Sequence, residues 1–250
     1  MDWLASFVAR VGGSTHLAGQ AMLRMVTPPL DVGETSRQLD RIGVGSVNLA
    51  NITALFTGLV LALQTAYALA TFGARMYIPE VVAMSLIREL GPVLTALMVG
   101  GRVGSGIAAE IGSMNVTEQV DAIRSMASDP IRKLVVPRVW ATVLMLPLLT
   151  ILADAMGILG GLAIAVYEEG MSARYYLQST VDVLTYQDIG LGLAKPVLFG
   201  FIIAVIGCYN GLNARGGADG VGRATTNTVY AAAIAILVSD FLITKLFLSL

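Results

Sequence analysis

Hydrophobic positions along this chain gather into long blocks separated by short polar stretches. Five blocks, at about 47–72, 81–103, 134–166, 191–209 and 228–250, approach or exceed the roughly 20 apolar residues a helix needs to cross hydrocarbon. Residues 1–45 follow a different pattern. Trp3, Leu4, Phe7, Val8 and Val11 recur at helical spacing with Arg10 on another face, and Leu17, Met22 and Met25 continue a weaker stripe beside Arg24. That spacing predicts an amphipathic helix lying in the membrane interface. Asp2 ahead of the first Arg, with Gly12, Gly13 and His16 interrupting the stretch, speaks against a cleaved signal peptide. Pro28 and Pro29 are expected to end this helix, and the polar DVGETSRQLDRIG run to connect it to span one. The expected fold is an all-α integral membrane protein forming a single domain over 1–250: an interfacial segment over 1–45, then a region of about five transmembrane helices over 46–250.

Polar stretches between the blocks refine the outline. Span two is expected to kink at Gly91-Pro92. Below the kink Gly100, Gly104, Ala108 and Gly112 repeat every four residues, the small-residue pattern that lets helix backbones approach closely, while Gly101 and Gly106 add flexibility. NVTEQVDAIRSM is too polar to span; Asn115 and Glu118 have capping-box spacing, so a short helix is predicted at about 115–128, stopping before Asp129-Pro130. Val116, Val120, Ile123 and Met126 fall along one side of it, leaving Glu118, Asp121 and Arg124 for water or a partner. The third block, broken by Pro137, Pro147, Asp154 and Gly160-Gly161, is long enough for one span with a tilted or re-entrant start. Residues 167–190 form a polar connection anchored by Tyr167, Tyr175, Tyr176 and Tyr186. NGLNARGGADGVGRATTNT fits neither a P-loop nor a dinucleotide fingerprint and is expected as a connecting loop.

Composition agrees with the pattern: of 250 residues, 56% are hydrophobic and 13% charged, and the mean hydropathy is +0.75. A formal net charge of −1 provides no field for nucleic acid. Arg124, Arg132, Lys133 and Arg138 follow span two and Arg215 and Arg223 follow span four, whereas the other two connections carry Arg75 and Arg174. This bias puts the N-terminus in the cytoplasm and the Glu168/Glu169 connection outside. The single cysteine, Cys208, rules out an intramolecular disulfide, and no metal site is expected. With no HExxH and with the lone histidine, His16, in the N-terminal segment, no catalytic residue is assigned; Ser105 lacks a partner base.

Charges within the apolar blocks are the candidate functional groups. A charge at the bilayer centre costs about 2.5–3.5 kcal/mol on insertion scales. Arg88 and Glu89 sit in span two, and Asp154, Lys195 and Asp240 are further intramembrane candidates. Adjacent helical residues point about 100° apart, so Arg88 and Glu89 cannot satisfy each other, and at least one must meet another helix, a polar cavity or a headgroup. Arg102, Glu110 and Lys245 lie nearer the boundaries, where snorkelling suffices. An ion-coupled secondary transporter using Asp154, Asp240 or Lys195 as a relay is one alternative, although no inverted repeat is visible. A non-transporting scaffold is another.

Three ordered segments, RELGPVLTALMVGGRVGSGIAAEIGSM (88–114), EQVDAIRSMASDPIRKLVVPR (118–138) and GRATTNTV (222–229), resemble signature stretches of the MlaE/YrbE family, permeases of MCE-type ABC lipid transporters. The resemblance covers nearly the whole chain. It implies an inner-membrane permease homodimer with a separate cytoplasmic ABC ATPase (MlaF-like) that binds ATP and Mg, so this chain holds no cofactor itself. It also implies a periplasmic MCE-domain hexamer (MlaD-like), in some systems a STAS-domain subunit (MlaB-like), and phospholipid or a related lipid as cargo. On matching positions, Glu118, Gln119, Asp121, Ala122 and Arg124 belong to the coupling helix that meets the ATPase, and Arg88 and Glu89 lie near the lipid cavity. If that scaffold reading of the MCE complex held instead, the capped coupling helix would be left unexplained.

Overall fold

The computed structural model describes residues 2–27 and 31–249. Pro28 and Pro29, and the side chains of Trp3, Leu4, Phe7 and Arg10, lie outside the described set. Among the described residues there is no strand. The order is α1 (Asp2–Val26), α2 (Val32–Ala70), α3 (Arg75–Val116), α4 (Gln119–Ser125), α5 (Ile131–Tyr167), α6 (Ala173–Val183), α7 (Tyr186–Leu212) and α8 (Gly217–Leu248). Helices α2, α3, α5, α7 and α8 are each long and apolar enough to cross a membrane. The chain is an all-α, multi-pass membrane protein.

Several boundaries depart from the sequence expectations. The polar run after Asp31 is the first part of α2, because the Asp31 carboxylate accepts from the Glu34 N–H at 3.0 Å and Gln38 donates to Glu34 four residues back at 2.9 Å. At 39 residues, α2 is about 58 Å long, against about 30 Å of hydrocarbon, so part of it stands beyond the apolar layer. Most of the expected Gly-rich loop is likewise helical: the turn uses left-handed Gly216 and Gly217, at φ 91° and 64°, and α8 starts at Gly217. The third block is one continuous helix with Pro147 inside it and a wider π-type turn at its start, Ile131–Val135, rather than a re-entrant segment. The 167–190 connection contains the amphipathic α6, which buries Tyr176 completely; burial raises the Tyr176 phenol above its ordinary pKa.

Packing follows the small residues. Gly100, Gly104 and Gly112 of α3 face Ile203 and Ile236, Ile203 and Thr228, and Ala214 and Val221 respectively, so the four-residue stripe packs against α7 and α8. The α8 side answers with its own four-residue stripe, Gly220, Ala224, Thr228, Ala232 and Ile236, all buried. Helix α1 docks Leu17 and Ala21 into the main core. It is tied to the segment after α4 by an Arg24–Asp129 ion pair and by Arg132 donating to Thr27 at 3.1 Å.

Helix α2 crosses α5 where Gly58 meets the carbonyl of Gly157, with no room for a Cβ. Forcing one in costs about 1–3 kcal/mol. Gly58→Ala is therefore expected to lower the apparent Tm in detergent. Gly101→Ala, whose Cβ meets nothing within 4 Å, should leave it unchanged or raise it through better helix propensity; equal Tm changes in the two variants would contradict this packing.

Candidate functional site

The polar centre of the bundle begins with a defect in α3. A π-type turn spans Leu86–Leu90, and two residues further on stands Pro92. In a regular helix the residue at position 92 would give its N–H to the Arg88 carbonyl; proline has none. Lys195 Nζ of α7 supplies the missing donor, at 2.9 Å from the Arg88 oxygen. The same ammonium lies 2.6 Å from Glu89 Oε2, 2.9 Å from Asp240 Oδ1 and 2.8 Å from Thr244 Oγ1 of α8. Thr244 in turn donates to the Glu89 carboxylate at 3.2 Å. Lys195 is 0% exposed, and this ring of acceptors is what makes its charge tolerable, since a buried ion must be paired and hydrogen-bonded.

Arg88 turns the other way. Its Nε lies 2.6 Å from Asp188 Oδ1, and Asp188 is 2% exposed. Asp188 is also the N3 residue of a capping box that starts α7: Thr185 accepts from the Asp188 N–H, and the Asp188 carboxylate accepts from the Thr185 N–H and hydroxyl. Neighbouring Arg88 and Glu89 thus serve two partners on α7, as their angular separation requires. Two cations and three carboxylates leave one negative charge in excess. The cluster opens on one side, where Arg88 and Glu89 keep 35% and 40% of their side-chain area exposed.

Asp154 does not join it. Its Oδ1 is buried without a hydrogen-bond partner, packed over Gly91 where no Cβ fits, and it lines a cleft between α2, α3 and α5 with Thr53, Thr57 and Thr95.

At the opposite end, Val120 and Ile123 of α4 bury against Leu134 with half-buried Met114 and Leu212. Glu118, Gln119, Asp121, Ala122 and Arg124 are all exposed. The capping box read from Asn115 and Glu118 is not formed. Glu118 adopts a left-handed conformation at φ 60° as the residue before the helix, with no side-chain cap, and Asn115 donates to the Ala214 carbonyl at 3.0 Å. Helix α4 runs over Gln119–Ser125, shorter than expected, and Met126 is exposed rather than part of its buried side.

Three participants escaped sequence reading. Asp188 carried a legible signal, the Thr-x-x-Asp spacing at 185–188. Thr244 carried none. Arg138, counted as a loop cation, is 2% exposed and pairs with Glu110 at 3.1 Å.

The fold and site define an all-α, multi-pass membrane protein with a buried ionic cluster near one end and a short helix presenting polar side chains at the other. A family model described as Permease MlaE matches residues 35–246, and the chain belongs to the MlaE permease family. It is 45% identical to a probable ABC transporter permease protein of Rickettsia felis, over 96% of this chain and 93% of that one. A probable ABC transporter permease protein of Synechocystis is 42% identical over 97% and 92% of the two chains. The intermembrane phospholipid transport system permease protein MlaE of Haemophilus influenzae is 38% identical over 84% and 81%.

Removing the ammonium while its carboxylates stay should expose their uncompensated charge. Lys195→Met is expected to destabilise the protein by about 3–5 kcal/mol, measured by unfolding in mixed micelles. Adding Glu89→Gln and Asp240→Asn should recover most of that loss. A Lys195→Met protein as stable as wild type would contradict the network.

Proposed function

We propose that this chain is the permease of an ATP-driven ABC transporter that moves phospholipid, or a related lipid, between the inner membrane and a periplasmic MCE-domain carrier. Membership of the MlaE permease family along nearly the whole chain carries this reading. In it the permease acts as a homodimer, two copies of a cytoplasmic ATPase bind ATP and Mg, and a STAS-domain subunit accompanies the ATPase in some systems. In this reading the nucleotide site and ATP hydrolysis belong to the ATPase rather than to this chain. Its N-terminus and α4 face the cytoplasm, an orientation supported by the arginines and lysines gathered at the α4 end.

The exposed face of α4 supports a docking role: Asp121 and Arg124 pair at 2.8 Å yet keep 65% and 61% of their side-chain area open, while Val120 and Ile123 fix the helix to the bundle. Exposed apolar side chains on α2 (Ile52, Phe56, Val60) and α8 (Ile234, Val238, Phe241) give acyl chains, or a second copy, a surface without polar interruption. Arg88 and Glu89, with their open sides, are the groups a headgroup meets at the other end of the bundle.

The test is ATP-driven transfer of a fluorescent phospholipid from proteoliposomes containing the permease, the ATPase and the MCE subunit. Asp121→Lys is expected to lower transfer by an order of magnitude or more and to weaken ATPase co-purification, with an unchanged Tm. Wild-type transfer and complex formation in that variant would overturn the docking role, and absence of transfer by the complete wild-type assembly would overturn the transporter reading.

A further inference from the structure

A second group of charges occupies the α4 end of the bundle, between α2 and α3, and the lipid-cavity reading does not use it. The apolar block of α2 begins at Val47 and that of α3 ends at Val103. Arg102 closes the α3 block, and Arg41 and Glu110 lie within about two helical turns beyond the two limits, so the group stands at the depth of the lipid headgroups. Here a cavity of about 130 Å³ is lined by Gln38 and Arg41 of α2 and by Arg102, Gly106 and Glu110 of α3. That is room for about four water molecules at their liquid volume, on the scale of a phosphate group with its ester oxygens.

Charge in this pocket is unbalanced. Glu110 gives one carboxylate oxygen to Arg41 at 2.8 Å and the other to the buried Arg138 at 3.1 Å. Arg102 meets a neutral hydroxyl, donating to Ser46 at 2.7 Å. Two guanidinium groups thus share one carboxylate and Arg102 has only a neutral partner, so three arginines stand against one carboxylate, two of them, Arg41 and Arg102, on the cavity wall. The site is shaped as well as charged. The Arg102 guanidinium lies across Gly45, where a Cβ would collide with it, and Gly106 leaves the cavity open because nothing stands within 4 Å of where its Cβ would be. Guanidinium groups match phosphate oxygens in paired hydrogen bonds, and basic pockets between transmembrane helices are suited to anionic headgroups.

We propose that this pocket binds the phosphate of an anionic phospholipid from the leaflet on the α4 side, with Arg102 and Arg41 as its donors. The site stands whether or not the chain moves lipid, and lies at the opposite end of the bundle from the Arg88–Glu89 cluster.

The test is native mass spectrometry of the full assembly released from bilayers containing equal parts phosphatidylglycerol and phosphatidylcholine. Wild type should retain phosphatidylglycerol in preference to phosphatidylcholine. Arg102→Gln, which removes the charge but keeps a donor for Ser46, is expected to reduce that retention about ten-fold, the loss of one charge-assisted hydrogen bond. Gly106→Leu fills the cavity with every charge in place and should cause a similar loss. Arg215→Gln, an exposed loop arginine at the same end, should change nothing. Absence of a phosphatidylglycerol preference in wild type overturns the proposal. So does wild-type retention in Gly106→Leu, which would show charge acting without the pocket, or an equal loss in Arg215→Gln, which would show a diffuse surface effect. Displacement of the lipid by millimolar inorganic phosphate, as effective as displacement by added phosphatidylglycerol, would make the pocket a free-anion site and overturn its assignment to lipid.

Discussion

An ammonium with no exposed surface inside a membrane bundle is the constraint around which this end of the structure is arranged. Taking an ion out of water costs several kcal/mol even after the protein relaxes, so Lys195 persists only where acceptors surround it. The Glu89 carboxylate, the Thr244 hydroxyl and the Arg88 carbonyl take its three N–H donors, and the Asp240 carboxylate adds a charge contact. The carbonyl is available because Pro92 has no N–H to occupy it. The carboxylates come from different helices, so satisfying the charge fixes α3, α7 and α8 relative to one another. Gly192 completes the arrangement: a Cβ there would stand 2.6 Å from the Ile87 carbonyl, so only a residue without one lets α7 approach the widened turn of α3 one helical turn before Lys195.

The same logic explains why three separate sequence segments hold chemistry that none of them explains alone. The RELGP segment puts its charges against α7 and α8. Its glycine stripe receives Thr228 of the GRATTNTV segment, whose hydroxyl donates to the Ala224 carbonyl and accepts from Asn210 at 2.9 Å. Glu110, near the end of the first segment, pairs with Arg138 at the end of the segment that contains α4. The segments are parts of one contact set. Helix α3 passes through all of it, carrying the ionic cluster near one end and the link to α4 at the other.

The number of spans, the glycine stripe as a packing surface and the impossibility of an Arg88–Glu89 pair were all legible, because each depends on a period along one helix. Partner identity was not. Arg88 finds Asp188 and Glu89 finds Lys195 across about a hundred residues, and no local period encodes that. Hydropathy also misjudged both ends of the polar elements. The first turns of α2 and α8 are rich in charge or glycine and read as loops, yet α2 is held by Asp31 capping and α8 by small residues facing α3. Arg138 shows the same failure from the other side: counted by its position after span two it is a loop cation, and its burial is explained by the Glu110 carboxylate opposite it together with the Leu134 carbonyl, to which it donates at 2.6 Å. At α4 the backbone overrode a sequence signal, since Glu118 takes a left-handed conformation, a non-glycine strain of about 1–2 kcal/mol, while Asn115 serves the Ala214 carbonyl instead.

Charged groups in this bundle are sorted by end. The open sides of Arg88 and Glu89 lie near the end where α2 meets α3, the uncompensated arginines lie at the α4 end, and the outward faces of α2 and α8 between them are apolar. A lipid lying along those faces, as the proposed function requires, would gain apolar contact for its chains along their length and charged contact at the two extremes. In the proposed lipid-moving role, such a surface would hold the chains without marking a position along the path, leaving the headgroup contacts at either end to decide where a lipid rests. Asp154 is the exception among the ionisable groups, standing part-way along α5, and its burial over Gly91 keeps one carboxylate oxygen turned into the protein rather than towards those faces.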